Sequence, residues 1–216
     1  MGYSPDVDAA TEKSIAALTA AGASVEDVTI PTLGKWGPAF MEVLSYEFKD
    51  GVNAYLKAAA SPHGSLSALI AWNAAHKDTV MPHFGQERFE AAEKKGPLTE
   101  AAYLQARADV KRLAGEEGLV AALREQKLDA VIAPSTGPAW PTNYATGDRF
   151  PGAGYVIAAV AGTPSVTVPM GEAQGLPLGL TFMGRAWSEG ELIGFAYAFE
   201  QATKARRPPA FLPAVP

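Results

Sequence analysis

Leu128-Asp129-Ala130-Val131-Ile132-Ala133 is a short apolar run that stops at Pro134, and its reading decides the fold. The run is too short for a buried helix and carries β-branched residues at its centre, so it reads as a buried strand. Downstream, Ser165-Val166-Thr167-Val168-Pro169 and Leu178-Gly179-Leu180-Thr181-Phe182-Met183 read as two more strands, joined by a turn holding Gly171, Gly175 and Pro177. Between the first strand and this pair lies a long loop, Pro134 to Pro151, followed by a small-residue helix over residues 152–161. Ser188-Glu189-Gly190-Glu191 has capping-box spacing and leads into Leu192, Ile193, Phe195, Ala196, Phe199 and Ala202 at helical intervals. Lys204, Arg206 and Arg207 complement the negative end of that helix before Pro208 and Pro209 stop it.

Upstream of the first strand the chain reads as helices. Ser4-Pro5-Asp6 opens one, with Ser4 as cap, Pro5 in the first turn and Val7, Ile15 and Leu18 on its apolar face; Gly22 stops it. Ala23 to Ile30 then alternates towards a strand through Val25, Val28 and Ile30, closed by Pro31. Helix followed directly by strand resembles the second half of an α/β crossover, whose first strand would lie before Met1. Residues 36–60, 65–77, 84–95 and 99–126 read as helices, the last interrupted or bent at Gly115 and Gly118. Only six of the 23 acidic and five of the 18 basic residues fall in 128–216. Residues 1–127 are therefore expected to be mainly amphipathic helices with solvated faces, and 128–216 a more buried, strand-bearing core, both within a single domain over 1–216.

Composition sets outer bounds. A chain of 216 residues, 48% hydrophobic and of net charge −5, buries a sizeable core and is not dominated by disorder. Zero cysteines exclude a disulfide scaffold and thiolate chemistry. No apolar run reaches the ~20 residues of a membrane span, and no signal peptide is visible, so no membrane partner and a cytoplasmic location are expected. The acidic balance lacks the basic footprint of a nucleic-acid binder, so no nucleic acid is expected as partner.

Three local patterns bear on chemistry. Ala133-Pro134-Ser135-Thr136-Gly137 is a variant of the nucleophile elbow, but Gly137, Pro138, Pro141 and Gly147 forbid the helix that must follow the Ser. All three histidines (His63, His76, His83) also lie upstream, where elbow enzymes place theirs last. Those histidines lack metal-binding spacing, and Pro82 breaks the segment between two of them, so no metal is expected. Gly152-Ala153-Gly154-Tyr155 is a weak likeness of a phosphate-binding turn, with no strand before it and no third glycine.

A longer succession is far more specific. Phe84-Gly85-Gln86-Glu87, Gly96-Pro97-Leu98-Thr99, Leu128 to Pro134, Gly137-Pro138-Ala139-Trp140 and Ala159 to Pro169 occur in order. Gly175-Leu176-Pro177-Leu178-Gly179-Leu180, Gly184-Arg185-Ala186-Trp187-Ser188-Glu189 and Ala196 to Thr203 follow them. This resembles the C-terminal part of the amidase signature family, in particular its peptide-amidase-like branch, over essentially the whole chain. The resemblance implies part of an α/β/α fold, a mixed, twisted sheet flanked by helices. It implies hydrolysis of amides, sometimes esters, by a nucleophilic Ser, a bridging Ser and a Lys base, with no cofactor. A Lys in a buried polar network has its pKa lowered enough to take a proton through the middle Ser, and backbone amides hold the oxyanion.

The family's catalytic residues belong to an N-terminal Gly/Ser-rich stretch, and this sequence has no two consecutive serines and no Ser-x-x-Lys. No catalytic residue is therefore carried over. What carries over is a pocket wall, with Ser135, Thr136, Trp140, Asp148 and Tyr155 as candidate substrate-binding residues on the loop after the first strand and the start of the next helix. Where the branch is typically Gly/Ser-rich, this chain reads Phe150-Pro151-Gly152-Ala153-Gly154-Tyr155. Two readings follow: the C-terminal portion of an amidase acting on small amides or esters, or a free-standing protein that uses the scaffold for binding or assembly, or as an esterase through Ser135. Whether these residues alone are an enzyme stays open in the sequence. Strands without neighbours also lead us to expect self-association through an exposed sheet edge.

Overall fold

Ser4 begins the structure as it begins the first helical pattern. In this computed structural model, which describes residues 2, 4–148, 150, 152–209 and 211, α1 runs Pro5–Ala20 with Ser4 Oγ accepting from the Val7 amide at 3.3 Å. Its buried face is Val7, Ala10, Thr11 and Ser14. The two hydroxyls are satisfied inside the helix, Thr11 donating to the Val7 carbonyl at 2.8 Å and Ser14 to that of Ala10 at 2.9 Å, so polar residues sit in the core without an orphaned group. Ile15, expected on this face, is only half-buried.

Residues 114–216 and 1–31 form one compact unit, and residues 32–113 a second. The first holds α7 (Val120–Glu125), β1 (Val131–Pro134), α8 (Val156–Ala161), β2 (Ser165–Ala173), β3 (Leu176–Met183) and α9 (Glu189–Thr203) besides α1. The sheet order is β1-β3-β2, all antiparallel. The mixed directions expected of the complete sheet do not occur within these three strands.

Strand alternation sorts the side chains. Ile132, Val166, Val168, Leu180 and Phe182 share one face and pack with α1 and α9 through Val7, Ala10, Leu192, Ala196 and Phe199. Phe182 and Phe199 meet edge-on at 6.1 Å. Truncating a buried ring such as Phe199 to Ala costs about 3–5 kcal/mol, so this face anchors the unit. The other face carries Val131, Thr181 and Met183, buried, and the exposed Ser165 and Thr167.

The structure revises several local expectations. Residues 23–30 have no regular secondary structure and form no ladder among the described residues; Val25, Val28 and Ile30 are half-buried. Alternation sets the faces of a strand, but a strand exists only where a partner takes its amides. The β2–β3 turn is tighter than expected, just Gln174 and Gly175, both at positive φ (53° and 77°), as a two-residue hairpin of the right twist requires. Gly171 lies instead at a bulge and Pro177 inside β3. Ser188 makes no side-chain cap: with φ −100° and ψ 21° its hydroxyl turns back to donate to the Arg185 carbonyl at 2.7 Å. Glu191, the other half of the expected box, pairs with Arg185 at 3.0 Å. On α9, Ile193 and Ala202 are exposed, not core. The helix expected over 152–161 starts only at Val156, because Ala153 bridges Thr136.

The second unit is helical: α2 (Gly37–Ala58), α3 (Leu66–Ala75), α4 (Lys77–Val80), α5 (Glu87–Glu93) and α6 (Ala101–Val110). Beyond α6 the chain stays helical over Lys111–Leu119 but is kinked at Gly118, which leaves helical geometry at φ −106° and ψ −118°. This is the interruption expected near Gly115 and Gly118. Side chains of α2 tie the helices of this unit together. Tyr46 stacks at a tilt on Tyr103 (5.5 Å) and donates to Glu100, which with burial pushes its phenol pKa up to about 12. Tyr103 donates to Glu47 at 2.8 Å, which raises its pKa as well. Lys49 Nζ donates to the carbonyls of Glu93 (2.6 Å) and Lys95 (2.8 Å), capping the C-terminal end of α5. No helix among the described residues is long and apolar enough to cross a membrane.

Candidate functional site

Pro134 ends β1, yet the ladder continues one residue further, with the Ser135 amide donating to the Gly179 carbonyl at 2.7 Å. Ser135, a bend just past β1, is therefore tied back to β3 by its amide, not thrown out on an elbow. Its Oγ lies 2.7 Å from Thr181 Oγ1 and donates across 3.4 Å to Thr167 Oγ1, and the two threonine hydroxyls are 2.8 Å apart. Thr181 is fully buried and Thr167 exposed. Three neutral hydroxyls satisfy one another here. None is a base, so this cluster does not draw a proton from Ser135 Oγ and leaves it an ordinary alcohol.

The loop that follows is pinned in three places. Thr136 Oγ1 donates to the Gly152 carbonyl at 2.9 Å, while Thr136 and Ala153 form an isolated bridge. Gly154 donates its amide to the carbonyls of Pro134 (3.2 Å) and Ser135 (3.0 Å). That approach requires glycine, since a Cβ there would stand 2.4 Å from the Pro134 oxygen and 2.6 Å from Ala133 Cβ. Trp140 meets Phe150 edge-on at 5.9 Å. Asp148 Oδ1 accepts from the Asn143 amide at 2.8 Å, and Asn143 Oδ1 in turn accepts from the amides of Ala145 and Thr146.

Of the five candidate residues, Ser135 and Thr136 are half-buried at the base of this loop, Trp140 and Asp148 are exposed along it, and Tyr155 is exposed where it returns into α8. Asp148 acts on its own loop as a turn-holder. Two concavities, of about 440 Å³ beside Phe84 and Gln86 and about 540 Å³ beside Lys13 and Glu172, include none of the five. Sequence reasoning picked out Ser135 but missed Thr167 and Thr181. They stand 32 and 46 residues away, and only strand register brings them to it.

The family model described as Amidase matches residues 1–193. Among solved structures, the native peptide amidase from Stenotrophomonas maltophilia is 48% identical and superimposes with a TM-score of 0.88 over 94% of this chain and 41% of its own. A peptide amidase in complex with the competitive inhibitor chymostatin gives 50% identity, a TM-score of 0.90 and coverage of 94% and 42%. A probable amidase of Arabidopsis thaliana is 34% identical over 172 residues, 77% of this chain and 30% of its own length. The chain thus spans about two fifths of the solved peptide amidases and less than a third of the plant relative.

Proposed function

The chain belongs to the amidase family, with the fold of the amidase signature enzymes, and from that premise we propose that it is the C-terminal portion of an amide-cleaving hydrolase. The observation that carries this reading is the superposition on peptide amidases at half identity over nearly the whole chain. In this reading the nucleophilic Ser, the bridging Ser and the Lys base lie in the Gly/Ser-rich part of the fold, outside these 216 residues. That assignment agrees with the absence of any Ser-Ser pair from the sequence. This portion supplies the scaffold behind the reaction and one wall of the pocket, with Ser135, Thr136, Trp140, Asp148 and Tyr155 facing a small amide or ester substrate. No cofactor takes part. An esterase centred on Ser135 is disfavoured by its hydroxyl-only partners.

The test is an amide-hydrolysis assay on an N-acylated peptide amide. It compares the chain alone with the chain fused behind the part of the Stenotrophomonas peptide amidase that lies outside the superposition. We expect no turnover above buffer from the first and clear turnover from the second. Robust turnover by the chain alone, abolished by Ser135→Ala, would overturn the reading.

A further inference from the structure

Register sets one row of side chains across the second face of the sheet: Ala133, Thr181 and Thr167 are directly paired neighbours on β1, β3 and β2. Ser135, its amide tied to the Gly179 carbonyl, reaches this row on the diagonal, with Oγ 2.7 Å from Thr181 Oγ1 and 3.4 Å from Thr167 Oγ1. Gly179 makes the approach possible. A Cβ there would stand 2.7 Å from both Ser135 Oγ and Thr167 Cγ2, so these side chains lean together over a strand residue that has none. The candidate loop returns on the same side, since Gly154 packs against Ala133 Cβ.

Three hydroxyls carry three protons, and each can be placed. With Ser135 donating to Thr167, the two short contacts close a ring in which Thr167 donates to Thr181 and Thr181 to Ser135. Thr181 is fully buried and saturated at 2.7 and 2.8 Å. The third side, at 3.4 Å, is longer than a good O–H···O hydrogen bond, and it joins half-buried Ser135 to exposed Thr167. A better acceptor can therefore take the Ser135 proton and leave Thr181 fully paired, and the two donations behind Ser135 strengthen it as a donor. No charged side chain among the described residues bonds to the ring. A carboxylate would lose its water here without meeting a cation, so the acceptor that fits is a neutral carbonyl oxygen.

We infer that Ser135 Oγ donates to a non-reacting carbonyl oxygen of the substrate, and that Thr181, acting through Ser135, is the positioning residue that aims it. This rests on the proposed function, in which the attacked carbonyl lies with the nucleophilic Ser, the bridging Ser and the Lys outside these residues. It adds the atom of the wall that reads the substrate and the buried group that sets its direction.

The experiment uses the fusion to the Stenotrophomonas segment with an N-acylated peptide amide, and reads kcat, KM and the melting temperature of each variant. Ser135→Ala is expected to raise KM about fivefold, as loss of one neutral hydrogen bond does, with kcat within about twofold. Thr181→Val keeps the volume and loses the hydroxyl; Thr181→Ser does the opposite. Aiming predicts KM up about threefold in the Val variant and nearly restored in the Ser variant, whereas a packing role predicts the reverse order. If Thr181→Val melts early, Thr167→Val takes its place: at an exposed position it removes the donor to Thr181, and KM is expected to rise in the same direction. An unchanged KM in Ser135→Ala, or the packing order at position 181, overturns the inference alone. So does a Ser135→Ala effect confined to the melting temperature, since protein and not substrate then covers the ring. An unmutated fusion without turnover overturns the proposed function and this inference with it.

Discussion

Glycines show how differently one residue type is used along this chain. At Gly154 a side chain has nowhere to go, since its Cβ would fall against the Pro134 carbonyl and Ala133 Cβ, both part of β1 and neither a flexible end. Gly190, in the first turn of α9, has open space around the same atom. Gly154→Ala should therefore destabilise the chain by about 1–3 kcal/mol, as forced overpacking does. Gly190→Ala should stabilise it by up to ~1 kcal/mol through helix propensity. Paired thermal melts check both signs, and equal melting temperatures would show that the return of the loop onto β1 yields freely. The same contact fixes where Gly152 to Tyr155 can go, so the loop return that positions Thr136 and Tyr155 depends on a residue with no side chain at all.

Among the elements, the β2–β3 hairpin carries local strain that can be relieved. Gln174 sits at φ 53° in a two-residue turn where Asn or Gly is favoured, and its side chain gives only an exposed hydrogen bond of 3.1 Å to Asp6. Gln174→Asn should raise stability by about 0.5 kcal/mol, the gain in left-handed tolerance outweighing the lost surface bond. A small upward shift in the denaturant midpoint at unchanged slope is the expected readout; a downward shift would mean that the Asp6 bond matters more than the turn. The helices were legible in the sequence because their signals are local: a cap at Ser4, apolar spacing through α9, Gly and Pro punctuation around α2, glycine interruption at Gly118. The three strands were legible as short apolar runs, but their boundaries were not. Gly171 and Pro177 carry turn chemistry and serve as a bulge and a strand residue. Val25 to Ile30 alternates like a strand and has no ladder among the described residues, because pairing is a non-local property. Ser188 and Glu191 have capping spacing, yet Arg185 supplies a carbonyl and a guanidinium that take both side chains away. The candidate loop was found through its place after β1. Its internal ties, Thr136 to Gly152 and Asp148 to Asn143, depend on backbone geometry that spacing does not encode.

For the whole molecule, the open sheet decides how the isolated chain behaves in solution. The order β1-β3-β2 leaves β1 and β2 as edges. β2 defends itself: Pro169 lacks an amide, and the shift between Pro169 and Gly171 twists the edge away from a straight partner. β1 is only four residues long and ends in Pro134, whose missing amide guards that end, so the part of its edge left open to another chain is Val131 to Ala133. We predict that purified residues 1–216 self-associate through this edge, measured as a mass above the monomer that rises with concentration in size-exclusion chromatography with light scattering. A dilution-stable monomer would show that β1 presents no usable edge. Fusion to the N-terminal part of a peptide amidase should abolish the association, because in the proposed function that segment completes the fold around the sheet.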